Sequence, residues 1–334
     1  RGLGDVYKRQ SISAATNLLS PFTRSVKYAF TLISLYKFDL LLYNQSDELD
    51  RWNMVKKLID GVNIEYEIIG SGTPILALMP GARRGCLEMK SLAEKIAKNN
   101  IRILLHDRRN TGKSSMLIDD AHTEEVTWAK ELRKLFKSLN EKHIFISGSS
   151  SGARTSLMYA LKFPKDLIGL IIMRVTGGKF AANNLPKNYY EVFINAAKSG
   201  GMKSVCDTAR FAEYIKTNPD IENELLQFDV NEFIKIQENL LVKFRAGADY
   251  PVMGVTQDEL GSITIPSLVI PGNDNTHNSV SGITAYEMLG NSELFQLPID
   301  DVDVDLIPWS DWAEYEDQIA ETMSEFIQRV MATQ

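Results

Sequence analysis

The residues best suited to chemistry lie in a short turn rich in serine and glycine, Gly148-Ser149-Ser150-Ser151-Gly152. An apolar strand pattern precedes this turn and a helical pattern follows it, so the middle residue, Ser150, is expected at a sharp strand-to-helix turn. Its hydroxyl would be exposed at the helix N-terminus, where the helix dipole favours a developing negative charge. The pattern predicts a nucleophilic serine, and the alternative is a loop that cradles a phosphate.

A second loop carries a carboxylate and an imidazole close together. The apolar run at residues 266–270 is followed by Pro271-Gly272-Asn273-Asp274, and His277 lies three residues further on. A carboxylate at Asp274 could orient an imidazole and stabilise its cation. His277 is therefore a candidate base for Ser150. The alternative for Asp274 is that it only satisfies a turn, as Asn and Asp often do.

The hydrophobic pattern around these loops alternates between strands and helices. Continuous or alternating apolar runs predict strands, whereas apolar residues at helical spacing predict helices. Strands are predicted at 62–69, 74–79, 101–105, 144–146, 167–175, 266–270 and 293–298, and helices at 88–98, 123–139 and 153–163. Thr123 is expected to cap the second of these helices. This succession indicates a mostly parallel, doubly wound α/β sheet with helices on both faces.

Residues 176–263 break this alternation. They carry helical patterns, among them 191–198, 202–216 and 230–244, but no credible strand. Since they fall between two core strands, we predict an inserted helical lid over the carboxyl ends of the strands, where open α/β sheets bind ligands. The predicted domains are a leader at 1–52, an α/β core at 53–175 and 264–334, and this lid. Roughly the first ten residues are interpreted as an artefact outside the fold.

Four stretches of the chain resemble the α/β-hydrolase superfamily, in the order in which the family has them. They lie within residues 54–330 and are the strand-end loop 78–82, the run 106–114, the turn 148–152 and the loop 265–274. The run 106–114 is similar to the family's Asp-x-Arg-Gly-x-Gly-x-Ser loop, with Asn110 where glycine is usual. The resemblance implies the α/β-hydrolase fold.

The resemblance also implies roles for individual residues. Ser150 takes the position of the family's nucleophile in the elbow turn, and Asp274 takes that of the acid. The backbone N–H groups of Ala82 and Ser151 take the positions of the oxyanion hole, which stabilises a tetrahedral intermediate. These positions imply a serine hydrolase.

The chain departs from the family at the base. In family members the catalytic histidine follows the last strand, but no histidine occurs after His277 here. Without a base, a serine hydroxyl is a weak nucleophile. Besides His277, the candidates for a base or a substrate contact are His106, which ends a core strand, and the alternating carboxylates Asp301 and Asp303.

The acidic segment at residues 300–305 supports three interpretations. Crowded carboxylates raise one another's proton affinity, so one of them could act as a base near neutral pH. The same oxygens could bind a hard cation such as Ca²⁺. The third interpretation is a solvated surface loop, because charge runs usually face water. We predict no metal site, and the histidines and cysteines are too sparse for zinc.

Composition and charge exclude several classes of protein. With 334 residues, 44% of them hydrophobic and 24% charged, the chain has the make-up of a globular protein. Its net charge of −6 offers no basic surface to nucleic acid. The apolar stretch 28–43 contains Lys37 and Asp39 and falls short of the ~18 uncharged residues that a membrane span needs. Two cysteines are too few for a disulfide framework, so the predicted location is the cytoplasm.

Together these residues predict an enzyme that hydrolyses a small ester, thioester or related acyl bond through Ser150, with a non-standard base. Two other functions stay open: a cofactor-free lyase or oxygenase-like enzyme, in which Ser150 binds rather than attacks, and a non-catalytic ligand-binding protein. No dinucleotide or P-loop motif is complete, so no cofactor is predicted. The expected partner is a small-molecule substrate, with no nucleic acid or membrane, and the sequence leaves the oligomeric state open.

Overall fold

The structure, a computed structural model, describes residues 54–334. The predicted leader and the apolar stretch 28–43 lie outside this range. Among the described residues, no helix combines the length and the apolar character needed to cross a membrane. Cys86 and Cys206 are both buried and free of a disulfide. The cytoplasmic location stays a prediction.

An eight-stranded sheet forms the centre of the described chain, in the order β1-β2-β4-β3-β5-β6-β7-β8. β2 is antiparallel to β1 and to β4, whereas all other neighbouring strands are parallel. The predicted mostly parallel sheet is confirmed. Its strands are β1 (Val55–Ile59), β2 (Val62–Ile69), β3 (Ile75–Met79), β4 (Arg102–His106), β5 (Ile144–Ser149), β6 (Leu167–Met173), β7 (Ser267–Ile270) and β8 (Ser292–Leu294).

Eleven α-helices accompany these strands in residues 54–334. The helix α2 begins after Thr123, whose hydroxyl accepts a hydrogen bond from the N–H of Val126 at 3.4 Å, so the predicted cap is confirmed. The helices are α1 (Lys90–Ala97), α2 (Glu124–Ser138), α3 (Ser151–Lys162), α4 (Gly178–Pro186), α5 (Val192–Cys206), α6 (Ala209–Thr217), α7 (Asp220–Leu226), α8 (Val230–Arg245), α9 (Gln257–Ser262), α10 (Ser279–Met288) and α11 (Glu316–Met331).

Apolar side chains cover both faces of the sheet. β3 and β5 are buried along their whole length, as expected of central parallel strands. Helices α1 and α11 pack on one face, and helices α2, α3 and α10 pack on the other. The sheet therefore lies between two apolar layers, which is the doubly wound arrangement that the sequence predicts.

Between β6 and β7 the chain leaves the sheet and forms helices α4 to α9. These helices build two apolar clusters, made mostly of their own residues. They also contact loops that follow core strands: the Tyr214 hydroxyl donates to the carbonyl of Ser114 at 2.8 Å, and Arg83 donates to the carbonyl of Tyr189 at 3.2 Å. The inserted helices thus lie against the carboxyl edge of the sheet. The domain boundaries at 176 and 263 stay predictions.

Two predicted elements are wrong in extent. The helical pattern at 202–216 is two helices, because α5 ends at Cys206 and Thr208 takes an extended backbone before α6 begins. The last strand, predicted at 293–298, spans only the three residues of β8. In the described sheet this strand lies at the edge, with β7 as its single neighbour.

We expect Gly148→Ala to destabilise the protein. A Cβ at Gly148 would lie 2.2 Å from the carbonyl carbon of Gly152, where backbone atoms cannot move aside. The expected loss is about 1–3 kcal/mol in the free energy of unfolding, measured by urea denaturation. Gly261→Ala is the control, because the atom nearest to its added Cβ is the Met288 carbonyl oxygen at 3.8 Å. Equal losses in the two variants would contradict this account.

Candidate active site

The carboxyl ends of four neighbouring strands bring the predicted site residues together. β3, β5, β6 and β7 are adjacent and parallel, so the segments that follow them emerge at the same edge of the sheet. The residues that follow these strands are Ala82 after β3, Ser150 after β5, Arg174 and Thr176 after β6, and Asp274 and His277 after β7. Residues far apart in the chain therefore meet because of the strand order.

Ser150 occupies a strained turn between β5 and α3. Its φ of 55° and ψ of −113° are sparsely populated for any residue other than glycine. Its N–H donates to the carbonyl of Met173 at 3.1 Å, and its carbonyl accepts from the N–H of Arg154 at 3.0 Å. These bonds to β6 and to the first turn of α3 hold the residue in place, and its side chain lies at the helix N-terminus, as the sequence predicts.

A continuous hydrogen-bond chain links Ser150, His277 and Asp274. The His277 Nε2 lies 2.7 Å from the Ser150 Oγ. On the other side of the ring, Nδ1 lies 3.0 Å from Asp274 Oδ1 and 3.1 Å from Oδ2. All three residues are buried, with His277 and Asp274 each 1% exposed. The imidazole is thus placed between a hydroxyl and a carboxylate.

Asp274 is surrounded by hydrogen-bond donors. Besides the imidazole, it accepts from the backbone N–H groups of Thr276 at 3.0 Å, His277 at 2.8 Å and Ile307 at 3.0 Å. The Arg174 guanidinium donates to it at 2.8 Å. Burial alone would raise the pKa of Asp274, but the bond and charge of His277, the Ile307 N–H and the Arg174 charge hold the pKa well below its usual range. The carboxylate is therefore ionised.

The pKa of His277 is lowered from its ordinary value. Burial is the main cause, because it disfavours the imidazolium cation, and the positive charges of Arg174 and Arg154 act in the same direction. The bond to Asp274 opposes this shift but does not reverse it. At neutral pH the ring is therefore uncharged, and its Nε2 can accept a proton from the Ser150 hydroxyl.

Ala82 and Ser151 contact each other beside Ser150. The Ser151 hydroxyl donates to the Ala82 carbonyl at 2.5 Å. A Cβ added at the preceding residue, Gly81, would lie 3.2 Å from the Ser150 Cβ, so this loop passes close to the serine. Ala82 has a φ of 45°, a second strained residue at the site. The structure thus brings both residues that the resemblance assigned to an oxyanion hole next to Ser150.

His106 is buried at the end of β4, and its contacts do not include Ser150. In the described part of the chain its Nδ1 has no hydrogen-bond partner. Burial, together with the charge of Arg108, lowers the pKa of His106 to about 3, so the ring is neutral. The structure does not bring His106 into the hydrogen-bond chain of Ser150.

Asp301 and Asp303 are exposed and bonded elsewhere. The Asp301 carboxylate accepts from the Ser279 hydroxyl at 2.7 Å and from its N–H at 3.1 Å. Asp303 accepts from the Asn275 side chain at 3.0 Å. Within residues 54–334, no group of three or more His, Cys, Asp or Glu side chains is arranged to hold a metal ion. The acidic segment therefore contributes no carboxylate to the Ser150 hydrogen-bond chain.

Three residues without a role predicted from the sequence also lie at the site. Arg174 bonds Asp274, Arg108 bonds both Ser151 and Ala82, and the Thr176 hydroxyl lies 3.4 Å from the Ser150 Oγ. Arg174 and Thr176 follow β6, whose end lies between those of β5 and β7. The order of the strands is the signal that could have indicated Arg174 and Thr176. Arg108 lies inside the run 106–114, which resembles a loop of the α/β-hydrolase superfamily.

Curated relatives of the chain are distant. No family model matches it. A proline iminopeptidase of Lactobacillus acidophilus is 23% identical over 256 residues, which are 70% of this chain and 86% of that protein. The uncharacterized hydrolase YraK of Bacillus subtilis is 27% identical over 109 residues, 33% of this chain and 40% of that protein.

Solved structures resemble the chain over most of its length. The enol-lactonase from Burkholderia xenovorans superposes with a TM-score of 0.57 at 16% identity, over 82% of this chain and 100% of its own. A thermophilic esterase from Thermogutta terrifontis gives a TM-score of 0.58 at 17% identity, over 84% of this chain and 99% of its own. The chain therefore has the α/β-hydrolase fold, as its resemblance to the superfamily implies.

We expect the His277 imidazole to titrate below the ordinary histidine pKa of 6.5, because burial and the Arg174 charge disfavour its cation. In Arg174→Met the pKa should rise, since a nearby positive charge is removed. The measurement is an NMR titration of the histidine ring protons, assigned with His277→Gln. Arg133→Met, which removes a partly exposed arginine paired with Asp166, is the control. An unchanged pKa in Arg174→Met would contradict this account.

Proposed function

We propose that the protein is a serine hydrolase that cleaves a small ester, thioester or related acyl bond. The observation that carries this proposal is the hydrogen-bond chain from Ser150 through His277 to Asp274, with 2.7 Å between the Ser150 Oγ and the His277 Nε2. A hydroxyl, an imidazole and a carboxylate in this order are the parts of a catalytic triad. The order along the chain is also serine, acid, histidine, as in other α/β-hydrolases.

The roles of the three residues follow from their contacts. His277 takes the Ser150 proton as the oxygen attacks the acyl carbon, and then gives that proton to the leaving group. A water attacks the acyl-serine in the second half of the reaction, with His277 again as the base. Asp274 orients the ring through Nδ1 and stabilises the imidazolium that forms.

The backbone N–H groups of Ala82 and Ser151 are the proposed oxyanion hole. Ser151 is the first residue of α3, so its N–H has no partner within the helix and belongs to the positive end of the helix dipole. Ala82 lies in the loop that passes close to Ser150. Donors that are fixed before the reaction stabilise the oxyanion without reorganising. This stabilisation is the largest contribution to the rate enhancement in many acyl-transfer enzymes.

The inserted helices α4 to α9 are proposed as a lid over this site, since they lie against the loops at the carboxyl edge of the sheet. A small-molecule substrate would enter between lid and core. The similar proteins bear the names iminopeptidase, enol-lactonase and esterase, and all three names denote hydrolysis of an acyl bond. The lyase and ligand-binding alternatives drew their support from a missing base, and the contact of His277 with Ser150 removes that support.

We expect a fluorophosphonate probe to label the wild-type protein at Ser150. The serine oxygen forms a bond to phosphorus, fluoride leaves, and His277 takes the proton. Intact mass spectrometry should show one added phosphonyl group in the wild type and none in Ser150→Ala. His277→Ala should slow labelling by about 10²–10⁴-fold, the usual contribution of a general base.

The matched control for labelling is Asp301→Asn, because Asp301 is exposed and bonded to Ser279. It should be labelled at the wild-type rate. A folded wild type that stays unlabelled would contradict the proposed function. A loss of labelling in Asp301→Asn that matches the loss in His277→Ala would instead identify the acidic segment as the source of the base.

We expect the labelling rate to fall as the pH falls, because a protonated His277 cannot accept the serine proton. The pKa of His277 lies below its ordinary value of 6.5, so the neutral base already predominates at pH 7. The rate should therefore be near its plateau at pH 7 and fall only below pH 6.5. A midpoint above pH 7 would rule out His277 as the group that controls the rate.

A further inference from the structure

Unlike the other buried arginines of the described chain, Arg108 forms no ion pair. Arg109 pairs with Glu131 at 2.5 Å, Arg174 pairs with Asp274 at 2.8 Å, and Arg154 pairs with Glu125. Arg108 is 1% exposed, and no carboxylate of residues 54–334 lies within ion-pair distance of it. Its guanidinium instead lies 4.4 Å from the centre of the Trp128 ring.

The hydrogen bonds of Arg108 join the two proposed oxyanion residues. One terminal nitrogen donates to the Ser151 hydroxyl at 3.1 Å, and the other donates to the Ala82 carbonyl at 3.0 Å. Since the Ser151 hydroxyl itself donates to the Ala82 carbonyl at 2.5 Å, the three groups form a closed hydrogen-bonded ring. This ring fixes the backbone of Ala82 relative to the start of α3.

The backbone around this ring is strained. Ala82 and Ser150 both have positive φ, 45° and 55°, although neither is glycine. Such residues keep their conformation only where the surrounding contacts hold them, and they are concentrated at active sites. For Ala82, the contacts that hold its carbonyl are those of Arg108 and Ser151. Without the planar fork of Arg108, the loop could relax and turn its N–H away from Ser150.

The charge of Arg108 is poorly neutralised in the resting protein. Burial lowers its pKa to about 10, which still leaves the guanidinium protonated at pH 7. The carboxylates of Glu124 and Glu125 are near enough to interact, but each is paired with another arginine, Arg83 or Arg154. The positive charge of Arg210 also lowers the pKa of Arg108. Arg108 therefore keeps a positive charge that no ion-pair partner in residues 54–334 neutralises.

We propose that Arg108 is a positioning residue of the oxyanion hole: it holds the N–H groups of Ala82 and Ser151 towards the reacting carbonyl, and its charge favours the oxyanion. This inference rests on the proposed serine-hydrolase function. A neutral acyl substrate first gains negative charge in the tetrahedral species, so the uncompensated charge of Arg108 stabilises the transition state more than the bound substrate. Its loss should therefore affect kcat more than KM.

The test compares Arg108→Met and Arg108→Lys with the wild type. Three quantities are measured: the rate of fluorophosphonate labelling, kcat and KM for p-nitrophenyl acetate, and the inhibition constant of phenylboronic acid, which adds to the serine as a tetrahedral anion. In Arg108→Met, labelling and kcat should fall by about tenfold or more, less than the roughly hundredfold loss of a direct oxyanion donor, with KM little changed. The boronate should bind more weakly by a similar factor. Arg108→Lys keeps the charge but not the fork, and should recover part of each loss.

Arg133→Met is the matched control, because Arg133 also lies over an aromatic ring, Phe163 at 4.3 Å, and pairs with Asp166 away from the site. It should match the wild type in all three measurements. Wild-type values of kcat and boronate affinity in a folded Arg108→Met would overturn the inference while labelling of the wild type still supported the hydrolase. If Arg108→Met does not fold, labelling of Arg108→Lys at the wild-type rate would overturn the role of the planar guanidinium. An unlabelled wild type would instead reject the proposed function itself.

Discussion

The contact between His277 and Ser150 depends on the parallel packing of β5, β6 and β7, because no local feature of the chain brings these two residues together. The loop after β7 must reach back across the end of β6 to the turn after β5, and the hydrogen bonds of Ser150 to Met173 and of Arg174 to Ile270 extend the sheet to this point. A buried carboxylate is costly unless it is fully bonded. Asp274 therefore accepts hydrogen bonds from its own loop, from Arg174 after β6 and from Ile307. This network fixes the imidazole.

The acidic segment supports this loop through its backbone. The N–H of Asn275 donates to the Val304 carbonyl and the N–H of Val302 donates to the Asn273 carbonyl, each at 2.9 Å. The Thr276 hydroxyl donates to the Asp305 carbonyl at 2.7 Å. The carboxylates between these contacts face water, as a charge run usually does. The segment after β8, where members of the α/β-hydrolase superfamily have the catalytic histidine, thus stabilises the loop that carries His277.

Positive charge around the site has opposing effects on the proposed chemistry. Arg174 and Arg154 lower the proton affinity of His277, which keeps the base neutral at pH 7 but makes the imidazolium of the transition state harder to form. Asp274, ionised and bonded to Nδ1, offsets this cost. Arg108, which bonds Ser151 and Ala82, is the cation proposed to favour the oxyanion. The inserted segment also contacts this region, because Arg210 donates to the Asn110 carbonyl and the Tyr189 carbonyl accepts from Arg83.

The sequence by itself determined the α/β architecture, the turn at Ser150 and the loop of Asp274. These features follow from local patterns, namely apolar periodicity and the glycines beside Ser150, which act over a few residues. It also offered His277 as a base, but it could not choose among His277, His106, Asp301 and Asp303, because spacing along the chain does not give distance across the sheet. Only the tertiary structure decided this: strand order puts His277 against Ser150, buries His106 without a bond to it and turns Asp301 and Asp303 outward. The contacts of Arg108 and Arg174 have the same origin, since their partners follow other strands of the sheet and lie far away in the sequence.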